Sequence, residues 1–314
     1  MKFACVFPGQ GSQSVGMMAE LAEEYPVVNA LFDRASEVLG YDLWKIVQEG
    51  PEEELNKTEI TQPAMLVAGV ATYEILSAEL PEPPVIYAGH SLGEYSALVC
   101  AGAIEFEAAV KLVAERGRLM QQAVPDGVGA MAAILGLEDG VIKDICETCS
   151  DDNFAVQAVN FNSPGQVVIA GNIQAVETAM AIAKESGAKR AVKLPVSVPS
   201  HSCLMEGAAK QLGAYLKNVK VKKTEIKVIQ NVSAKSHARG GDIKKALVKQ
   251  LHNPVLWVDS VNNLIAQGIE ASVECGPGKV LQGLNKRINK EISHFTIFDS
   301  ASLKAVLTEL GQSK

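Results

Sequence analysis

Between residues 85 and 100 the chain passes from an apolar stretch into Gly89-His90-Ser91-Leu92-Gly93 and then into helical periodicity. A strand that turns into a helix this abruptly leaves few backbone solutions. Glycine on both sides of the serine makes room for a strained turn that lifts its hydroxyl clear of a sheet, with the Leu92 N–H at the start of the helix. G-x-S-x-G also occurs by chance, and an ordinary turn is the plain alternative. The strand before it and the helix after it favour a nucleophile at Ser91.

The rest of the chain repeats this alternation. Spans 2–7, 85–89, 226–231, 269–274 and 295–298 read as short buried strands, and 19–39, 62–79 and 105–123 have helical periodicity. The pattern predicts an α/β fold with a mainly parallel sheet. The middle departs from it. Strand 130–137, helix 138–149, strands 155–162 and 166–170 about Ser163-Pro164-Gly165, helix 173–187 and strand 190–197 give β-α-β-β-α-β, a ferredoxin-like order. Pro125, Asp126 and Gly127 mark its entry, and Pro195 and Pro199 its exit. Residues 125–197 are therefore expected to form a small domain inserted into a large one made of 1–124 and 198–314.

Hydrophobic residues make up 47% of the 314 and charged residues 21%, which suits an ordered chain apart from a few residues after Leu310. A net charge of -7 disfavours nucleic acid but leaves room for a local basic patch. No apolar run reaches the ~18 residues of a membrane helix. Met1 to Pro8 lacks the features of a signal peptide, so a cytoplasmic location is expected. The six cysteines are scattered and read as buried thiols. Cys146 and Cys149 form a lone C-x-x-C with no second pair and no nearby His, so neither metal nor redox chemistry is expected of them.

A serine nucleophile needs a base, and the histidines are His90, His201, His237, His252 and His294. His90 adjoins Ser91 and is expected to point away from it. His237 sits in a polar loop, 235–241, and His294 opens the last strand. His201 follows Val198-Pro199-Ser200, where the inserted segment returns to the large domain. A cleft between domains is where a base belongs; a satisfied loop histidine is the alternative.

Helix 105–123 has an apolar stripe of Ala109, Leu112, Val113, Leu119, Met120 and Ala123, and Arg116 lies at its centre. Arg118 points the other way, with Lys111, Ala114, Glu115 and Gln122. A buried guanidinium needs a partner. Two readings stand: an internal Asp or Glu, or a bidentate clamp on a substrate carboxylate. With Ser91, the second suggests a dicarboxylic acyl group such as malonyl. Pro8-Gly9-Gln10-Gly11-Ser12-Gln13 matches neither phosphate-loop fingerprint. After a strand of the same sheet, it is placed to donate a backbone N–H to an oxyanion.

Taken together, these segments resemble the malonyl-CoA:acyl-carrier-protein transacylases, kin to the acyltransferase domains of polyketide synthases. The resemblance spans essentially the whole chain. It rests on Phe7 to Gln13, Thr61-Gln62-Pro63-Ala64, Gly89 to Glu94, Arg116-Gly117-Arg118-Leu119-Met120 and Asn160 to Gln166. It continues through Pro199-Ser200-His201-Ser202, Gln250 to Val255 and Glu274 to Lys279.

The resemblance implies a hydrolase-like large domain, Ser91 as nucleophile and His201 as base, oriented by the Gln250 backbone carbonyl rather than by an acid. It implies an oxyanion hole from the N–H groups of Gln10 and Leu92, and Arg116 on the malonyl carboxylate. Gln62, His90, Asn160 and Asn162 are further implied substrate contacts. The substrates would be malonyl-CoA and the phosphopantetheine thiol of a holo acyl carrier protein, with no other cofactor. Carrier proteins are usually acidic, and Lys189, Arg190, Lys286 and Arg287 are candidate contacts. Ser200 stands where malonyl-selective polyketide domains often carry a bulky aromatic, which keeps methylmalonyl open as a side activity. The charge and the lack of an obvious apolar helix face fit a monomer. A polyketide-pathway acyltransferase, an acyltransferase for neutral acyl groups, a serine thioesterase or esterase, and a non-catalytic carrier-binding module remain as alternatives.

Overall fold

The computed structural model describes residues 1–311 apart from 126 and 197. The predicted entry marker Asp126 and residues 197 and 312–314 thus lie outside the described residues, and the strand expected over 190–197 ends at Lys193. The strands are β1 (Phe3–Phe7), β2 (Ile86–Gly89), β3 (Gly129–Leu135), β4 (Val156–Ser163), β5 (Gln166–Asn172), β6 (Arg190–Lys193), β7 (Lys227–Gln230), β8 (Lys235–Ser236), β9 (Ala271–Cys275) and β10 (Ser293–Ile297). They form a six-stranded sheet in the order β10-β9-β1-β2-β7-β8 and a four-stranded sheet in the order β4-β5-β3-β6. The first is parallel from β10 to β7, as the alternating pattern predicts, with β8 antiparallel at one edge. β8 lies in the segment expected to be a polar loop. The second sheet is antiparallel throughout, and its order is that of a ferredoxin-like unit.

Both faces of the parallel sheet are covered, so its strands are apolar on both sides. Phe3, Cys5 and Phe7 pack into one core with Tyr87 and Val273, while Ala4 and Val6 face the other with Ile86, Trp257 and Val261. In the second sheet, Ala130, Ala132 and Ile134 pack on the helices Asp139–Thr148 and Ile173–Glu185. The opposite face carries a smaller apolar group, Met131, Val159, Val168 and Ala170. The two sheets are stitched together at Val255, whose N–H and C=O bond to Val159 O at 2.8 Å and Phe161 N at 3.1 Å.

The helix expected over 19–39 is two helices, Ala19–Glu24 and Pro26–Leu39. Pro26 takes the first helical position of the second, where its missing N–H costs nothing, and it holds Tyr25 in extended backbone. The helix expected from 62 begins earlier, giving Thr58–Glu79 with Pro63 inside it.

Candidate active site

The site lies at the carboxyl ends of β1, β2 and β7, the usual position for ligands in open α/β sheets. At the end of β2, Ser91 has φ 51, left-handed backbone that only a well-supported turn holds on a non-glycine residue. The flanking glycines are obligatory. A Cβ on Gly89 would collide with the backbone of Gly93, and a Cβ on Gly93 with the carbonyl of Phe7. This is the sharp turn that the motif predicts.

His201 also has left-handed backbone, with φ 66, and is 3% exposed. Its Nε2 lies 2.8 Å from Ser91 Oγ, and its Nδ1 lies 2.6 Å from Gln250 O. A carbonyl only accepts, so Nδ1 carries the proton and Nε2 is free to accept from the serine. Gln250 ends the helix Gly240–Gln250, where the last carbonyls have no intrahelical partner. The imidazole is therefore oriented by a helix terminus, and among the described residues no carboxylate bonds to it. Burial first, and then the Arg116 charge, lower the imidazole to about 3. His201 is neutral, as a base must be, throughout the neutral range.

Arg116 sits on the buried face of the helix Phe106–Gln122, at 1% exposure. Nη1 donates to Gln62 Oε1 at 2.8 Å, and Nη2 to Gln250 Oε1 at 3.0 Å and Ser91 Oγ at 3.2 Å. Its Nε is buried without a partner, and its guanidinium carbon stands 5.3 Å from the centre of the Tyr95 ring. Among the described residues none of these acceptors is a carboxylate, but the buried Glu94 carboxyl lies near enough to favour the guanidinium charge. Gly117 explains how so long a side chain reaches the serine. A Cβ there would press on Thr58 O at 2.6 Å, so the two helices cross almost backbone to backbone and Arg116 lands beside Gln62. Arg118 faces outward onto Glu115 and Gln122.

These groups line a cavity of about 210 Å³ between the two sheets. Gln10 and Leu92 are on its wall, and among the described residues no acceptor takes either backbone N–H. His90 turns from Ser91 and bonds through Nε2 to Asn162 Oδ1 at 2.8 Å, its ring 5.5 Å from that of Trp257. Asn160 lines the cavity with a buried, unpartnered Oδ1. Ser200 lines it too, beside apolar Met131, Val168, Leu194 and Val196 of the second sheet and its exit segment. His294 lies elsewhere, bonded to Ser272 and the Asn289 carbonyl. His237 caps nothing in the cavity and donates its backbone N–H to Gln230.

The chain matches the acyl transferase domain family over residues 4–302. It belongs to that family. It is 54% identical over 306 residues to the malonyl CoA-acyl carrier protein transacylase of Haemophilus influenzae, covering 97% of this chain and 98% of that one. The Bacillus subtilis protein of the same name is 45% identical, covering 98% and 97%. Among solved structures, an acyl carrier protein S-malonyltransferase from Vibrio cholerae superposes with a TM-score of 0.95 at 55% identity, covering 98% and 100%. A malonyl-transacylase solved in complex with a type II polyketide acyl-carrier protein superposes at 0.96 with 50% identity, covering 98% and 100%.

In this acyl transferase the sequence pointed to Ser91, His201, Arg116, Gln62 and Gln250, and the fold brings all five together. Sequence reasoning gave Gln250 only its backbone carbonyl; its side chain also bonds to Arg116. Two buried residues were given no role by sequence reasoning. Glu94, fully buried, accepts through Oε2 from Asn231 N and Gln250 Nε2, each at 2.9 Å. Asn231 accepts from Ser91 N at 2.7 Å and donates to Gly89 O at 2.7 Å. A signal existed: Glu94 is the one charge in a helix, Gly93–Cys100, that is otherwise apolar or small, and Asn231 follows β7 at a strand's carboxyl end.

The basic candidates lie apart from the chemistry. Arg287 Nη1 donates to Gln166 Oε1 at 2.6 Å, Gln166 pairs with Leu135, and Leu135 pairs with Arg190. Lys189 packs against Gly136 at the same end of the second sheet, and Lys286 adjoins Arg287. Burial raises the Cys146 thiol to about 12 and holds Cys149 above the ordinary thiol range.

Proposed function

We propose that this acyl transferase moves a malonyl group from malonyl-CoA to the phosphopantetheine thiol of an acyl carrier protein, supplying extender units for fatty-acid synthesis. The observation that carries the proposal is the buried Arg116. It touches Ser91, donates to no carboxylate among the described residues and leaves its Nε–H without a bond. A neutral acyl group offers nothing to such a cation; a malonyl carboxylate accepts from it bidentately. The names of the similar proteins point to the same substrate.

In the first half-reaction His201 Nε2 takes the Ser91 proton as Oγ attacks the thioester carbon. The N–H groups of Gln10 and Leu92 hold the developing oxyanion, a contribution typically worth about a hundredfold or more per donor. The C–S bond breaks, and His201 returns the proton to the CoA sulfur. In the second half-reaction His201 takes the proton of the carrier thiol, that sulfur attacks the malonyl ester, and the proton goes back to Ser91. The scheme is ping-pong and asks for no metal or further cofactor. His90, Asn160 and Asn162 complete the substrate wall, and the open side chain at Ser200 leaves room for methylmalonyl as a slow alternative. We assign carrier docking to Lys189, Arg190, Lys286 and Arg287, and read the protein as a cytoplasmic monomer. Among the described residues no helix is long and apolar enough to cross a membrane.

The test is intact-mass measurement after mixing with malonyl-CoA alone. A malonyl adduct on the wild type, absent from Ser91→Ala and cleared by holo carrier protein, is the expected result. Release of CoA without an adduct would make the protein a hydrolase. Neither adduct nor release would leave it a binding module.

A further inference from the structure

Three groups must hold a common register for this chemistry: the nucleophile, the base and the clamp. They come from three distant parts of the chain, and two of them, Ser91 and His201, rest in left-handed backbone. Something must hold that strain in place. One atom stands behind all three. Glu94 Oε2 accepts from Asn231 N and from Gln250 Nε2. Asn231 holds the strained turn on both sides, accepting from Ser91 N and donating to Gly89 O. Gln250 donates to Ser91 O at 2.9 Å, accepts from Arg116 Nη2 through its side chain and orients His201 through its backbone carbonyl. Glu94, Asn231 and Gln250 are all fully buried, so water cannot replace a lost partner.

We propose that Glu94 is a positioning residue of the acyl-transfer site, acting through Asn231 and Gln250 to set Ser91, His201 and Arg116 in one register. The inference rests on the function proposed above, in that it takes Ser91 acylation and Arg116 selection as the outputs. Glu94 touches no substrate. Its other oxygen, Oε1, has no partner among the described residues, and both bonds fall on Oε2. What the network uses is thus a single acceptor at a fixed point, which an amide oxygen supplies as well as a carboxylate. A side chain that only filled the space would not.

The experiment compares Glu94→Gln with Glu94→Met, an acceptor-bearing and an acceptor-free side chain of similar length. Single-turnover acylation is followed by intact mass with malonyl-CoA and acetyl-CoA, and each rate is expressed per folded molecule. Glu94→Gln should acylate within about threefold of wild type. Glu94→Met should lose about ten- to a hundredfold in the malonyl rate constant, the scale of a small misplacement of reacting groups, with half-saturation by malonyl-CoA changed much less. Its malonyl-to-acetyl ratio should also fall, because Gln250 no longer holds Arg116. A Glu94→Met protein with wild-type rate and ratio overturns the proposal, since packing alone would then suffice. A Glu94→Gln protein as slow as Glu94→Met overturns it as well, by making the charge the requirement. If Glu94→Met does not fold, Asn231→Ser reads the same route. It keeps the backbone N–H that bonds to Glu94 and withdraws the amide from Ser91 and Gly89; unchanged acylation there overturns the proposal. A wild type that forms no adduct defeats the functional reading instead, so the two failures are distinguishable.

Discussion

Arg116 occupies the centre of an apolar helix face, a position that burial alone would give to leucine or methionine. Its hydrogen bonds go to two glutamine oxygens and a serine, all neutral, and the buried Glu94 carboxyl nearby favours its charge without bonding to it. Arg116→Ala should therefore lower malonyl acylation by about a hundredfold or more while acetyl acylation holds or rises, measured by intact mass with either thioester. Equal losses for both acyl groups would remove the clamp. His201 makes a prediction in pH. Its folded value is about 3 against 6.5 for the free side chain, so the unfolded chain binds the extra proton between these values. Its contribution to stability is present above pH 6.5 and lost as pH falls toward 3. Burial lowers His90 and His294 as well, and they add the same sign. The acid limb of the acylation rate should accordingly lie well below the pKa of a free histidine. Glu94 runs the other way. Burial raises it to about 7 from 4.5, so its contribution is present below 4.5 and lost as pH rises through 7. Glu94→Gln should flatten the decline of stability across that window in urea titrations at several pH values.

Among the elements, two carry more than their length suggests. The elbow after β2 packs against the end of β1, and Gly93 is what lets them touch. Gly93→Ala should give little folded protein, and whatever folds should acylate slowly; a soluble, fully active variant would show that the elbow can relax. The helix Val280–Ile288 is held from outside. Glu274, at the carboxyl-terminal part of β9, accepts from Leu281 N at 3.1 Å and Gln282 N at 2.7 Å, satisfying two N–H groups of its first turn. That helix lines the cavity with Leu281 and Leu284 and ends in Lys286 and Arg287. Glu274→Ala should cost about 1–3 kcal/mol, from one buried and one half-buried donor left unpaired, read from the urea midpoint. A loss near zero would mean that the helix holds without its cap.

At the scale of the whole molecule, the two sheets divide the work. The parallel sheet places Gln10, Ser91 and Leu92 on the cavity wall at its carboxyl edge, and the antiparallel sheet roofs the cavity with Met131, Val168 and the two asparagines of β4. Arg287 on Gln166 ties the rim of one to the other and gathers the basic residues at that end. Reversing Lys189, Arg190, Lys286 and Arg287 to glutamate should slow transfer to the carrier protein and flatten its salt dependence, measured as carrier kcat/KM at two ionic strengths. Unchanged carrier kinetics would place docking elsewhere on the surface.

The local patterns decided the broad outcome. Strand, elbow and helix at Ser91 follow from residues adjacent in the chain, because glycine geometry is a short-range constraint. The parallel sheet follows from the alternation of strand and helix patterns and the ferredoxin-like sheet from the β-α-β-β-α-β order, because residue periodicity sets which element each segment forms. Arg116 stood out because a charge in an apolar stripe is anomalous wherever the helix docks. Folding alone decided the rest. Nothing near Glu94 or Asn231 in the chain shows that they meet, since 137 positions separate them. The same holds for the second role of Gln250, the neutrality of His201 and the neutral oxygens that bond to Arg116. Each depends on which dipoles surround a buried group, and that is set by how distant segments pack.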